Sequence, residues 1–229
     1  MTVRIAAVFV VACALLAGGC KERLGGTAAP IAAEVPPSGI AQPMTSVEQF
    51  LRKLPSEAEL KTIDPKLYQA GAPLPFMASE NHKFRLVDAC GSRQPSDDRM
   101  ARSVGVAWNT PPGNFRGFSL RLTSYEGATG AQAVAEAKQA LECGYYDVDW
   151  MGRYRISEET VPVAHGLDAQ FLFTAQVEGT PNADFVAIVG RGNDAVVAKS
   201  SSDGSTSPGQ ARGCLLKLLV MIGESLNRR

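Results

Sequence analysis

Residues 167–177 read Leu-Asp-Ala-Gln-Phe-Leu-Phe-Thr-Ala-Gln-Val, the most regular alternation of apolar and polar residues in the chain. Successive side chains of an extended strand point to opposite faces, so this period of two predicts a long antiparallel strand with one solvated face. We expect the strand to be central in its sheet. Its apolar side chains Leu167, Phe171 and Phe173 should pack against the apolar stripe of a C-terminal helix.

The sequence that follows continues the sheet. Residues 185–189 are apolar, residues 195–199 are apolar up to Lys199, and Gly190-Arg-Gly-Asn-Asp194 between them is typical of a hairpin turn. The Gly-x-Gly-x-x-Ala pattern that starts at Gly190 also matches a dinucleotide fingerprint, but a predicted strand follows it where that fingerprint needs a helix N-terminus. We therefore interpret it as a hairpin. Further strands are predicted at residues 84–87, 104–108 and 118–123.

Four capping motifs predict where helices begin. In each, a Ser or Thr precedes a Glu or Gln by three residues, so the two side chains can satisfy the first backbone N–H groups of a helix. Strands in hairpins together with a few helices predict an α+β fold, an antiparallel sheet with helices packed mainly on one face. The motifs begin at Thr45, Ser56, Thr129 and Ser207.

The N-terminal segment predicts export and lipidation. Arg4 precedes an apolar run over residues 5–17, which ends in Gly18-Gly19-Cys20. A basic start, a short apolar core and small residues before a cleavage site are typical of a secretory signal peptide. The cysteine after the small residues resembles a bacterial lipobox. The alternatives are a transmembrane anchor, for which a run of about 13 residues is short, and ordinary cleavage to a secreted protein.

These features divide the chain into three parts. We expect a signal peptide over residues 1–19, a flexible tether over residues 20–44 and one α+β domain over residues 45–229. Cys20 would carry the lipid, so the domain would lie outside the cytoplasm, anchored to the bacterial cell membrane. Because Lys plus Arg and Asp plus Glu both number 23, we expect no nucleic-acid partner.

The expected domain contains the cysteines Cys90, Cys143 and Cys214. Disulfides persist outside the cytoplasm, and one bridge plus one thiol is the simplest arrangement. Cys90 is in a predicted loop and Cys143 at a helix end, whereas Cys214 is on the apolar stripe of the C-terminal helix. We expect a Cys90–Cys143 disulfide and a Cys214 thiol. The cysteines lack the close spacing of metal ligands, so we expect no metal.

No residue pattern predicts catalysis. His82 and His165 both lie beside loop signals, and the nearness of Asp168 to His165 in sequence does not place them together in a triad. Asp147 and Asp149 lack the third ligand and the glycine of a calcium loop. We therefore expect neither an enzyme nor a cofactor.

An aromatic cluster follows the helix that Thr129 caps, and it is the candidate ligand site. Aromatic rings beside charged side chains suit a binding lip, because rings supply contact area at small entropic cost. The alternative is that these rings only cover the edge of the sheet and the end of the helix. The candidate ligand-binding residues are Tyr145, Tyr146, Trp150, Arg153 and Tyr154.

Several residues occur in a characteristic order: Leu54-Pro55, Cys90, Cys143, Val189-Gly-Arg-Gly-Asn193 and the helix after Ser207. This order resembles the actinobacterial extracellular sensor domain, which is found on mycobacterial receptor Ser/Thr kinases and on many free lipoproteins. The resemblance covers residues 47–226. It implies an antiparallel sheet with surrounding helices, disulfides and a cleft that takes a ligand.

Together these features predict a non-catalytic cell-envelope lipoprotein whose sensor-like domain binds a small molecule or an envelope component. The alternative is a structural or accessory lipoprotein that acts through protein contact. A deep pocket with convergent polar groups would favour ligand binding, and a broad apolar patch would favour protein contact.

Replacing Cys20 should release the protein from the membrane. The thiol of this residue would carry the lipid, so Cys20→Ala removes the anchor. Membrane fractionation should find the wild-type chain with the membranes and the variant outside them. Mass spectrometry of the mature N-terminus should show a lipidated Cys20, and an unmodified N-terminus beyond this residue would contradict the prediction.

Overall fold

The described part of the chain contains three complete α-helices, one 3-10 helix and nine strands, and residues 50–51 are also helical. The structure is a computed structural model, and it describes residues 50–69, 74–77, 86–87, 93–109, 117–148, 152–202 and 207–228. All of these lie in one compact unit, Thr45–Arg229. The helices are α1 (Glu57–Ile63), α2 (Gly130–Ala140) and α3 (Pro208–Leu226), with a 3-10 helix at Pro95–Arg99. The strands are β1 (Tyr68–Gln69), β2 (Leu74–Met77), β3 (Met100–Asn109), β4 (Phe118–Tyr125), β5 (Tyr145–Val148), β6 (Gly152–Glu159), β7 (Ala169–Val177), β8 (Ala183–Arg191) and β9 (Asp194–Ser202).

Within these residues, all nine strands join one antiparallel sheet. Its order is β1-β3-β4-β9-β8-β7-β6-β5, and β2 also pairs with β3. β8 and β9 form the predicted hairpin, with Arg191 opposite Asp194. β7 pairs with β8 on one side and with β6 on the other, so it is an interior strand next to the central hairpin. The α+β class and the antiparallel sheet are therefore confirmed.

Side-chain caps start the helices where the sequence predicts them. At α1 and α3 the capping residue and the residue three positions later each accept a bond from the other's backbone N–H, which satisfies two N–H groups at the helix start. At α2 the Thr129 hydroxyl accepts a bond from Gln132 N–H at 3.0 Å. The motif at Thr45 lies outside the described residues. The two complete capping boxes are Ser56 with Glu59 and Ser207 with Gln210.

One face of the sheet, called here the α3 face, packs against α1 and α3. The stripe of α3 that meets it is buried, and Leu218 and Ile222 are both 0% exposed. Leu167, just before β7, packs against the same cluster, as expected. The strand residues of this cluster come from several strands and include Leu120, Leu122, Leu172, Ala187, Val189 and Val196.

The opposite face, called here the α2 face, packs against α2. Phe171 and Phe173 of β7 lie in this cluster with Val134 and Ala137 of α2. The expectation that these two phenylalanines face the C-terminal helix is therefore wrong. Two helices cover the α3 face and one helix covers the α2 face, so the centre of the sheet is buried on both sides.

Two features of the sequence account for the second buried face. Leu172 stands at a position where a solvated face would carry a polar residue, and it is 3% exposed. Residues 185–189 are apolar at every position, as in strands that are covered on both sides. Ile188 accordingly packs on the α2 face and Val189 on the α3 face, and both are 0% exposed.

Leu86 and Val87, the described part of the strand expected over residues 84–87, lie outside any strand. Leu86 is 1% exposed, and its carbonyl oxygen accepts a hydrogen bond from Arg121 Nη2 at 2.5 Å. The Val87 carbonyl oxygen accepts one from Gln94 Nε2 at 3.2 Å. Side chains, and not a neighbouring strand, therefore satisfy these buried carbonyl groups.

Truncation on either face of β7 should destabilise the domain. Leu172→Ala removes a side chain from the α3 face and Phe171→Ala removes one from the α2 face. Each should lower the free energy of unfolding by about 2–5 kcal/mol. Gln176→Ala, at an exposed position of the same strand, should change it by less than about 0.5 kcal/mol. Urea denaturation measures all three, and a Leu172→Ala variant as stable as Gln176→Ala would contradict packing on both faces.

Candidate functional site

The candidate site begins with the β5–β6 hairpin at one edge of the sheet. Gly144 follows α2 with a φ of +76°, a conformation that glycine adopts without strain, and it turns the chain into β5. The hairpin pairs Tyr145 with Arg155 and Tyr146 with Tyr154. Cross-strand partners share a face of a sheet and neighbouring pairs alternate. Tyr145 and Arg155 therefore share one face, and Tyr154 lies on the opposite face.

Tyr145 and Arg153 form the aromatic and cationic part of the site, on the α3 face. Tyr145 is 49% exposed. The Arg153 Cζ atom lies 4.5 Å from the centroid of the Tyr145 ring, which is a cation–π contact. On the same face, Arg155 Nη2 lies 3.1 Å from Glu178 Oε1. These side chains present a ring and guanidinium donors to solvent.

A shallow depression of about 460 Å³ adjoins these side chains. Because α3 packs mainly over β8 and β9, this end of the α3 face is open and polar. Further along β6, Glu159 links the strand to α3. Its Oε2 accepts a bond from Arg212 Nε at 2.6 Å, and its Oε1 accepts one from the Thr174 hydroxyl at 2.7 Å. The depression is lined by Arg155, Gln176, Val177, Glu178 and Gly179.

Of the five residues that the sequence grouped together, the structure separates Tyr154 from Tyr145 and Arg153. Tyr145 and Arg153 meet on the α3 face. Tyr154 is 4% exposed and packs on the α2 face, where burial raises the pKa of its hydroxyl to about 12. Tyr154 is therefore a core residue and does not share the exposed surface. Of Tyr146 only the backbone is described, and Trp150 lies outside the described residues.

Arg155 directly follows Tyr154 in the sequence, but the sequence did not predict Gln176 and Glu178 as neighbours of the site. These two residues come from the end of β7, about 20 positions away in sequence. The register of β6 with β7 sets Gln176 directly opposite Arg155. The alternation of residues 167–177 carries the signal, because it assigns Gln176 to the more polar face of its strand. It does not say which strand lies next to it.

The turn from Gly190 to Asp194 is a structural site. α2 begins so close to it that a Cβ atom on Gly190 would lie 2.4 Å from the Gly130 carbonyl carbon. The Gly130 N–H donates to the Gly192 carbonyl oxygen at 2.8 Å, and the Tyr125 N–H donates to the Asn193 carbonyl oxygen at 2.9 Å. A strand, β9, follows the turn. The hairpin interpretation of the Gly-x-Gly-x-x-Ala pattern is therefore confirmed.

Asp168 holds the same turn from the other side. Its carboxylate accepts hydrogen bonds from the Gly192 N–H at 2.8 Å and from the Arg191 guanidinium. These two bonds hold the pKa of Asp168 below its ordinary value. His165 is not among the hydrogen-bond partners of this carboxylate, and its carbonyl oxygen lies against α3. His82 lies outside the described residues.

The cysteines are only partly described. Cys214 carries a thiol outside any disulfide and packs, half-buried, against the α3-face cluster, as predicted. Cys143 follows α2 at an exposed position. Its predicted partner Cys90 lies outside the described residues, as does Cys20, so the Cys90–Cys143 disulfide and the lipidation stay predictions.

Among the described residues, no group of three or more His, Cys, Asp and Glu side chains could hold a metal ion. None of the helices in this part of the chain is long and apolar enough to cross a membrane.

The fold and the site together define an α+β domain with one antiparallel sheet, helices on both faces and an open polar end. The extracellular domain of PknH from Mycobacterium tuberculosis has a similar structure, with a TM-score of 0.51 and 15% identity over 79% of this chain and 97% of that chain. The resemblance to the actinobacterial extracellular sensor domain is therefore confirmed at the level of the fold.

A second solved structure, an Rv0999 ortholog from Mycobacterium smegmatis, matches with a TM-score of 0.36. The identity is 10%, over 74% of this chain and 97% of that chain, and no common fold follows from a likeness of this size. No protein-family model and no curated protein matches the chain.

A side chain at the contact between the hairpin turn and α2 should destabilise the domain. Gly190→Ala places a methyl group where backbone atoms of Gly130 already lie, and should lower the free energy of unfolding by about 1–3 kcal/mol. The matched control is Gly213→Ala in α3, where no atom lies within 4 Å of the added Cβ. That variant should be neutral or up to about 1 kcal/mol more stable. Equal urea midpoints for the two variants would contradict the tight contact.

Proposed function

We propose that this chain is a non-catalytic, lipid-anchored domain outside the cytoplasm that binds a small molecule or a component of the cell envelope. Its fold, shared with the extracellular domain of PknH, supports a sensor-like domain. The apolar run that ends in Gly18-Gly19-Cys20 supports export and lipidation. The binding site is the open end of the α3 face, formed by β5, β6 and β7.

The contact of Arg153 with the Tyr145 ring is the observation that carries the proposal. A guanidinium 4.5 Å from the centroid of an exposed ring keeps the ring and a positive charge together at the surface. A tyrosine with two side-chain torsions and a stacked arginine lose little conformational freedom on binding a ligand. Such a pair suits a polar ligand that stacks on the ring and accepts hydrogen bonds.

The neighbouring ion pair extends this surface. Arg155 and Glu178 bring a donor and an acceptor to the depression of about 460 Å³ that they help to line. Gln176 adds an exposed amide, which can donate and accept. Donors and acceptors around an aromatic ring match the chemistry of sugars and of short peptides, both of which occur in bacterial cell envelopes. A shallow surface of this kind fits one unit of a larger envelope component as well as a small molecule.

Soluble peptidoglycan fragments and oligosaccharides should include a ligand that stabilises the full chain. At a ligand concentration of about 100 times its Kd the gain is about 2.7 kcal/mol, which thermal denaturation detects. Tyr145→Ala and Arg153→Ala should abolish the shift, because they remove the ring and its guanidinium.

The matched controls are Tyr68→Ala and Arg93→Ala, which change exposed residues of the same types away from the site. They should leave the ligand-induced shift unchanged. A ligand that stabilises all four variants equally would place the site elsewhere. If no fragment shifts the melting temperature, the alternative of an accessory lipoprotein acting through protein contact gains support.

A further inference from the structure

A polar layer lies beneath the 3-10 helix Pro95–Arg99, between α2 and the sheet. The Ser96 N–H donates to Glu136 Oε2 of α2 at 2.7 Å. Asp97 Oδ2 accepts a bond from the Gln94 N–H at 3.0 Å, which closes the turn. The Arg99 carbonyl oxygen accepts one from the Glu126 N–H at 2.8 Å, just after β4. The segment is thus held to both α2 and the sheet by hydrogen bonds.

Two buried charges belong to this layer. Arg121 projects from β4 onto the α2 face at 4% exposure, and its Nη2 donates to the Leu86 carbonyl oxygen. Asp97 is 2% exposed. Tyr125, also from β4, stands opposite Met100, where the 3-10 helix runs into β3. Burial raises the pKa of Tyr125, whose side chain packs in the same buried cluster as Leu86, the residue whose carbonyl oxygen Arg121 binds.

Two uncharged side chains of this layer each bury a polar atom that has no hydrogen-bond partner in the protein, among the side chains that the structure describes. The atoms are Gln94 Oε1 and Tyr125 Oη, and their residues are 2% and 3% exposed. The Ser96 hydroxyl, in a residue that is 0% exposed, bonds to the Glu136 carboxylate and can still accept a hydrogen bond. The bond from Gln94 Nε2 to the Val87 carbonyl oxygen fixes which end of that amide points into the layer. A buried polar atom without a partner destabilises a fold, and native proteins rarely contain several together.

We propose that this layer is a binding site for ordered water, which bridges the Tyr125 and Ser96 hydroxyls and the Gln94 carbonyl oxygen. The occupant must donate to an amide oxygen and both donate to and accept from hydroxyl groups, which water does. A cation would meet the buried Arg121 guanidinium, and an anion would meet the Asp97 and Glu136 carboxylates. A small neutral molecule that both donates and accepts hydrogen bonds is compatible with every polar group of the layer.

Tyr125→Phe in the full chain tests the proposal by the sign of its effect. If water bridges the hydroxyl, the variant loses hydrogen bonds and its urea midpoint falls below that of the wild type. If no water binds the hydroxyl, the variant loses a buried polar group that has no hydrogen bond, and its urea midpoint rises. A rise would overturn the proposal. Tyr68→Phe, at a residue 45% exposed, is the matched control and should leave the midpoint unchanged.

Magnetic relaxation dispersion of water oxygen-17 gives a second readout, because it detects water molecules that stay in a protein for longer than its rotation. The dispersion amplitude should fall in Tyr125→Phe and also in Ser96→Ala, which keeps the 3-10 helix and its backbone bond to Glu136. Tyr68→Phe should keep the wild-type amplitude. An amplitude unchanged in both test variants would overturn the proposal even if one of them is destabilised.

Discussion

The contact between Gly130 and Gly190 is the constraint on which the arrangement of both faces depends. Neither residue has a side chain, so the first turn of α2 lies directly against the β8–β9 turn. The same turn accepts a backbone bond from Tyr125 at the end of β4, and the Gly190 carbonyl oxygen accepts one from Asp168 before β7. Segments distant in sequence therefore meet at one hairpin, and that hairpin is the centre of the sheet. Its position directs α2 to one face and leaves the other to α3.

The sequence located the central strands well, because their signals are local. Alternation over residues 167–177 and the glycine-rich turn at Gly190 predicted β7, β8 and β9 within a few residues. The face that each strand buries depends on where the helices return, which is a tertiary property that propensity does not determine. Leu172 and the apolar run 185–189 held that information. Leu172 and this run are inconsistent with a sheet that has one solvated face. A sheet that is covered on both faces leaves Phe171 and Phe173 free to pack against α2, as they do in the structure.

The candidate site was predicted only in part, because its grouping also depends on tertiary structure. Tyr145 and Tyr154 are near each other in sequence, but β5 and β6 are strands, and a period of two sends their rings to opposite faces. These strands escaped prediction because β6 is rich in charged residues, as strands near the edge of a sheet often are. Because β6 was not predicted, its pairing with β7 was not predicted either, and nothing placed Gln176 and Glu178 beside Arg155. The sequence identified candidate side chains by their type, but which of them lie together depends on the register of β5, β6 and β7.

The likeness to the PknH extracellular domain, at 15% identity, concerns the fold alone. In this chain the fold depends on apolar patterning and on steric contacts such as that of Gly130 with Gly190, and these constraints fall on the centre of the sheet. Tyr145, Arg153 and Glu178 lie at the other end of the sheet from β3 and β4, where packing restricts side chains less. Shared architecture therefore does not carry a ligand from one domain to the other. The exposed Tyr145 ring and the guanidinium above it belong to this chain, and the chemistry they recognise has to be determined from them.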